Sequence, residues 1–215
     1  VNEHFFDIID TPEKAYVLGF FFADACNFQE KGSVSISITD EDILRRMADC
    51  LGWAGPIAIV KPRSSNHSVQ YAMRIGSRVL SDALARLGCV SRKSYHAVFP
   101  TDEQVPPEFH RHLIRGWNDG DGTITGCKAN DRRATVWSAQ IVGTEAVCRG
   151  LSACVERHLG FPGATRCCRK GKQHDTWSFT VGGNRQVRKY LDWLYKDATI
   201  YLQRKRDRYQ RLVDE

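Results

Sequence analysis

The chain has 215 residues, of which 42% are hydrophobic and 26% charged, a balance that supports a packed globular protein with one sizeable core or two small ones. No apolar run reaches membrane-spanning length and no basic-then-apolar leader opens the chain, so a soluble, intracellular protein is expected. The net charge is +6, and it is uneven: residues 156–215 carry +7 and the first 155 carry −1, a basic surface that suits a polyanion without separating DNA from RNA.

In chain order, the first element is an apolar helix over AYVLGFFFADA, residues 15–25, in which Ala15, Gly19 and Ala23 recur every fourth residue and leave a side-chain-poor stripe that ends one residue before Asp24. A strand-rich stretch follows, whose second run, Ser33–Ile38, alternates polar and apolar residues as a half-exposed strand does. A helix then starts near Thr39-Asp40 and ends at Leu51-Gly52-Trp53-Ala54-Gly55. Two strands, about 56–63 and 67–75, lead through Ile75-Gly76-Ser77 into a helix over 77–87.

A turn-rich connector, 93–107 with Pro100, Pro106 and Pro107, separates this unit from a second one. HLIRGWNDGDG at 112–122 repeats the first helix, with Gly116 and Gly120 on the stripe and Asp121 at its end, 97 residues after Asp24. The alternating strand returns as Thr135–Ile141, and a helix from Thr144 ends at Leu159-Gly160-Phe161-Pro162-Gly163, 108 residues after its counterpart. Strands at 164–169 and 174–181, a helix over 184–195 and a last basic helix over 197–212 complete the chain. Arg92-Lys93-Ser94 is a partial counterpart of that last helix.

The pattern predicts an α+β protein of two pseudo-twofold-related αββαββα repeats, 1–92 and 108–215, whose two four-stranded antiparallel sheets form one concave saddle. If the two glycine stripes pack together, Asp24 and Asp121 meet at one end of the helix pair beside the carbonyls of Ala23 and Gly120. Two carboxylates so close repel unless a cation lies between them, and hard divalent ions prefer such oxygen ligands. Eight cysteines show no C-x-x-C pair and read as reduced, mostly buried thiols. His110 and His112 are two apart and so on different faces of a helix, poor co-ligands at an exposed helix start. Trp53, Trp137, Trp177 and Trp193 read as packing residues.

Gly19-Phe20-Phe21-Phe22-Ala23-Asp24 and Gly116-Trp117-Asn118-Asp119-Gly120-Asp121-Gly122 resemble the two signature helices of the LAGLIDADG homing endonucleases, in the single-chain form with both motifs. The second copy is the fuller match. In the first, Ala25 replaces the glycine that usually follows the acid, and Phe22 stands where an acidic residue is commoner. The resemblance implies a monomeric, site-specific DNA endonuclease whose sheets lie in the major groove and whose acids reach the minor groove. It implies that Asp24 and Asp121, helped by the Ala23 and Gly120 carbonyls, hold Mg²⁺, with Mn²⁺ as a substitute and Ca²⁺ supporting binding without efficient cleavage. Hydrolysis of both strands then leaves short 3′ overhangs on a long, nearly asymmetric duplex target.

The family often adds a lysine or glutamine near each metal. The positions that align, Asp40 with Gly143 and Gly76 with Gly182, do not match it, which leaves Lys93 and Lys128 as candidates. Base and phosphate contacts are expected from Ser35, Ser37, Lys61, Arg63, Gln70, Arg74, Lys128, Ser138, Gln140, Arg166, Arg169 and Lys170. Relatives on this scaffold also serve as binding-only DNA regulators or RNA-splicing maturases. Retention of both acids favours the endonuclease. An intein is not expected, since no self-splicing residues flank the chain.

Overall fold

The computed structural model describes residues 1–61, 68–128, 135–171 and 174–214. Helix α1, Pro12–Asp24, begins at Thr11, whose hydroxyl accepts the Lys14 amide at 3.2 Å, with Pro12 in the first turn where its missing N–H costs nothing. Every residue from Ala15 to Phe22 is buried, as expected of a helix apolar on all sides. Strands β1, Cys26–Phe28, and β2, Ser33–Ile38, helix α2, Glu41–Cys50, strands β3, Ala58–Val60, and β4, Gln70–Gly76, and helix α3, Arg78–Arg86, complete the first unit. A single helical turn, α4, Lys93–His96, lies in the connector.

The second unit repeats the order: α5, His110–Asp121; β5, Thr123–Lys128; β6, Thr135–Gly143; α6, Glu145–Leu159; β7, Ala164–Arg169; β8, Thr176–Gly182; α7, Asn184–Tyr195; and α8, Gln203–Asp214. Both sheets are antiparallel and share one topology, β1-β2-β4-β3 and β5-β6-β8-β7. Alternation decides the faces. Val34, Ile36 and Ile38 on β2 and Met73 and Ile75 on β4 are buried beneath α2 and α3, while Ser35 and Ser37 stay on the open side. Ile124, Trp137, Ala139, Ile141, Phe179 and Val181 do the same against α6, α7 and α8. The Leu-Gly turns that close α2 and α6 place Gly52 at φ 60° and Gly160 at φ 75°, left-handed values that glycine adopts without penalty.

Three expectations are corrected. The last helix starts at Gln203, not near 197, because the segment before it is pulled into the core, with Ile200 and Leu202 buried and their backbones tied to Arg115 and Asp119. The cysteines are free but not mostly buried: Cys89, Cys148 and Cys154 are buried, Cys50 and Cys167 half-buried, and Cys26, Cys127 and Cys168 exposed on or beside strands. His110 and His112 are not exposed; at 1% and 2% accessibility they are covered by the connector, α6 and the α7–α8 segment. The tryptophans pack as expected, Trp137 in the core and Trp53, Trp177 and Trp193 against it. Among the described residues no helix is long and apolar enough to cross a membrane.

Candidate functional site

Helices α1 and α5 make the most extensive contact between elements in the molecule, backbone against backbone. A Cβ placed on Gly19 would lie 1.9 Å from the Leu113 carbonyl oxygen, and one on Gly116 would lie 2.0 Å from that of Tyr16. No side chain fits either place. Farther along the stripe, a Cβ on Gly120 would come within 2.3 Å of the Ala23 Cβ and 3.0 Å of Asp24 Oδ2. The two stripes therefore run to one common end, where Asp24 and Asp121 close their helices.

The chain leaves both helices alike, through Ala25 at φ −78°, ψ 148° and Gly122 at φ −76°, ψ 162°. Ala25 therefore leaves the exit from α1 in the same conformation as the exit from α5. The difference between the copies lies one turn back. A Cβ at Gly122 would meet Asn118 Oδ1 at 2.5 Å, whereas the position equivalent to Asn118 in α1 is Phe21, whose ring turns to Phe6 at 5.6 Å.

The electrostatics are those of two like charges partly removed from water. Burial, then the charge of Asp121, raises the Asp24 pKa to about 6, against smaller opposing pulls from Lys93, Lys205 and Arg204. Burial raises Asp121 as well, and Lys93 and Lys205 oppose it. Hard carboxylate oxygens whose mutual repulsion the neighbouring cations relieve only in part suit a divalent cation, so the donor set fits the ion that the motif implies.

Two lysines flank the pair. Lys93, on α4, donates to the Ala25 carbonyl; Lys205, on α8, donates to the carbonyls of Asn118, Gly120 and Gly122 at the end of α5, the favourable pole of the helix for a cation. Burial brings Lys205 down to about 8. Of the two candidate lysines, Lys93 is at the acids. Lys128 is not: it ends β5, five residues or about 16 Å along the strand from Thr123, paired with the buried Thr135.

Lys205 was not foreseen, although it follows Lys93 by 112 residues, close to the other repeat offsets. Asp119 was missed too. Fully buried, it accepts from Tyr16 Oη at 2.9 Å, Tyr195 Oη at 3.3 Å and the Leu202 amide at 2.8 Å, and so anchors the segment that delivers Lys205. Its counterpart, Phe22, stacks on Trp117 at 4.7 Å.

The predicted contact residues lie largely on the open sheet faces. Register pairs Ser35 with Arg74 and Ser37 with Ala72; Ser37 donates to Gln70 Oε1 at 2.9 Å, and the Arg74 guanidinium lies 6.0 Å from the Phe28 ring. On the second sheet Ser138 pairs with Gly182 and Gln140 with Thr180, to whose hydroxyl it donates at 3.2 Å. Arg166 pairs with Ser178, and a bulge between Cys167 and Arg169 turns Arg169 to the same face, opposite Thr176. Lys61 and Lys170 are exposed just beyond β3 and β7, and Arg63 lies outside the described residues.

No protein-family profile matches the chain, and no curated protein matches it in sequence. Solved structures do. The LAGLIDADG homing endonuclease I-GzeII in complex with DNA target has a TM-score of 0.59 at 13% identity, over 95% of this chain and 89% of that one. The LAGLIDADG meganuclease I-AabMI bound to uncleaved DNA gives the same TM-score, identity and coverage. The I-SmaMI LAGLIDADG homing endonuclease bound to cleaved DNA has a TM-score of 0.58 at 13% identity, over 95% and 88% of the two chains. With both sheets and the paired acid-bearing helices in this arrangement, the chain has the fold of the LAGLIDADG homing endonucleases.

Proposed function

We propose that this protein is a monomeric, site-specific DNA endonuclease that hydrolyses one phosphodiester bond on each strand of a long, nearly asymmetric duplex target, leaving short 3′ overhangs. The observation that carries this reading is the meeting of Asp24 and Asp121 at the shared end of two helices packed backbone to backbone, each beside a lysine. Asp24 and Asp121, with the Ala23 and Gly120 carbonyls, would hold Mg²⁺, Mn²⁺ substituting for it. A divalent cation supplies there a lowered pKa for an attacking water and relief of charge on the phosphate and the leaving oxygen.

The remaining work belongs to the chain. Lys93 and Lys205 set positive charge beside each acid, where negative charge grows on the phosphate. Lys205, whose ammonium donates to the carbonyls of Asn118, Gly120 and Gly122, holds its positive charge at the end of α5 beside the acids. The serines, glutamines and arginines of the open faces hydrogen-bond to base edges and phosphates. Because the two faces carry different side chains, the two half-sites they recognise differ in sequence.

The test is selection from a randomised duplex pool with Mg²⁺, using the native chain, Asp24→Asn and Asp121→Asn, then repetition with Ca²⁺. The expected outcome is one long site cut on both strands by the native protein, bound but cut at least about a hundredfold more slowly by each variant, and bound without efficient cleavage in Ca²⁺. Specific binding with no cleavage in any metal would instead assign a DNA-binding regulator. No preference among duplexes would overturn the DNA reading and direct the assay to structured intron RNA.

A further inference from the structure

About the start of α5, at the opposite end of that helix from Asp121, three side chains of a different kind converge. His110 begins α5, and Cys154 and His158 are one turn apart on α6. One ligand-capable atom from each lies within 4.8 Å of the other two. The Cys154 Sγ is 3.3 Å from His110 Nδ1, and the His158 Nε2 is 3.3 Å from the same nitrogen.

Within this cluster two groups converge on one acceptor nitrogen. His110 Nε2 donates to the Val105 carbonyl at 2.9 Å, which fixes the proton on that nitrogen and leaves Nδ1 with one in-plane lone pair. The Cys154 thiol and, when its proton is on Nε2, the His158 imidazole both reach that single lone pair. A cation resolves the conflict, because all three atoms then act as lone-pair donors to a common centre.

The dimensions suit a small tetrahedral ion. With bonds of about 2.0–2.1 Å to nitrogen and about 2.3 Å to sulfur, neighbouring ligands in a tetrahedron stand about 3.4 Å apart for two nitrogens and about 3.6 Å apart for nitrogen and sulfur. Both 3.3 Å separations are close to those edges. His110 has the outer partner of a metal-binding histidine, a backbone carbonyl on its far nitrogen, and the Trp193 ring stacks on His158 at 5.1 Å and fixes its plane. Burial keeps both imidazoles below their usual pKa and so neutral, the form that ligates. A cavity bounded by Phe99, Pro100, Asp102, Cys154 and Arg157 leads to the cluster and gives an ion a way in.

We propose that His110 Nδ1, Cys154 Sγ and His158 Nε2 form a second metal site, suited to Zn²⁺ by its nitrogen and sulfur donors, with water in the fourth position. On binding, the Cys154 thiol loses its proton to solvent and the thiolate takes the metal, while both histidines bind neutral. The site acts as a clasp between elements. It fastens the first turn of α5 to α6 and, through the Val105 carbonyl, to the connector between the two units, at a distance from the acid pair along the same helix.

The site can be read without any nuclease assay by titrating the reduced full chain with Co²⁺ and then displacing it with Zn²⁺. One equivalent is expected to give tetrahedral cobalt bands in the visible and a thiolate-to-cobalt band in the near ultraviolet, both bleached by Zn²⁺. Carboxylate oxygens cannot produce the thiolate band, so Co²⁺ bound at Asp24 and Asp121 does not mimic it. Cys154→Ser should abolish that band and His158→Ala should weaken the ion at least about tenfold, whereas Cys168→Ser, at an exposed cysteine, should change nothing. If Cys154→Ser fails to fold, His158→Ala, at a half-buried position, carries the test. Absence of the thiolate band in the native chain, or its survival at full strength in Cys154→Ser or with undiminished affinity in His158→Ala, would overturn the proposal.

Discussion

Helices α1 and α5 reach the same geometry with different chemistry. Both end in an extended residue after the acid and both give up side chains at the crossing, but α1 surrounds this stripe with Phe20, Phe21 and Phe22, whereas α5 surrounds it with Trp117, Asn118 and Asp119. The first copy is held by ring packing, Phe22 on Trp117. The second is held by a buried carboxylate that gathers two tyrosines and the backbone entering α8. Only what the crossing and the acids demand is shared, which marks those positions as the constrained ones.

That contrast can be broken where the copies are alike. Gly19→Ala and Gly116→Ala should each cost about 4 kcal/mol or more, since the new methyl has only a carbonyl oxygen to displace, and chemical denaturation should show near-equal losses. A clear difference would mean that one copy governs the crossing.

Where the copies differ, the losses should differ in kind. Asp119→Ala should cost about 3 kcal/mol by orphaning three donors, and Phe22→Ala about 3 kcal/mol by leaving a cavity. Amide exchange separates them: only Asp119→Ala should speed exchange across 202–206, because Asp119, and not Phe22, accepts from the Leu202 amide that opens the segment. Equal protection in both variants would remove Asp119 as the anchor of Lys205.

Asp24 sharpens the comparison through pH. Its folded-state pKa of about 6 exceeds the ordinary 3.8, so the proton it holds stabilises the metal-free fold fully below about pH 4, and that stability is lost as pH rises through about 6. The loss is on the order of 2–3 kcal/mol. Asp24→Asn should flatten that part of the pH–stability curve and raise the metal-free melting temperature at pH 7.5. Mg²⁺ should stabilise the native chain and not the variant. The smallest effect concerns the lysines: Lys93→Met and Lys205→Met should each slow cleavage about tenfold, on opposite strands, with Lys205→Met also lowering thermal stability because its ammonium caps three carbonyls of α5.

Much of this arrangement was legible in the chain. The four-residue recurrence of small side chains announced the crossing, and period-two alternation in Ser33–Ile38 and Thr135–Ile141 announced the strands and their open faces. Lys205 was hidden because it stands among Arg204, Arg206 and Arg208, where composition reads as solvated charge; its burial is created by the Asp119 anchor, a contact 83 residues away in sequence. His110 was misread for a similar reason. A polar residue opening a helix is commonly wet, and only α6 and the connector, folding over it, make it dry.

The reciprocal contact of Gly19 with the Leu113 carbonyl and of Gly116 with the Tyr16 carbonyl has a mechanical meaning. At these two points no side chain separates the helices, so the two halves join through a backbone-to-backbone pivot that leaves little room for them to spread like jaws. On the proposed reading, the distance between the two cutting positions is therefore a property of the protein alone. The duplex must do the yielding, and base steps that bend easily are favoured at the centre of the target even where no side chain touches them.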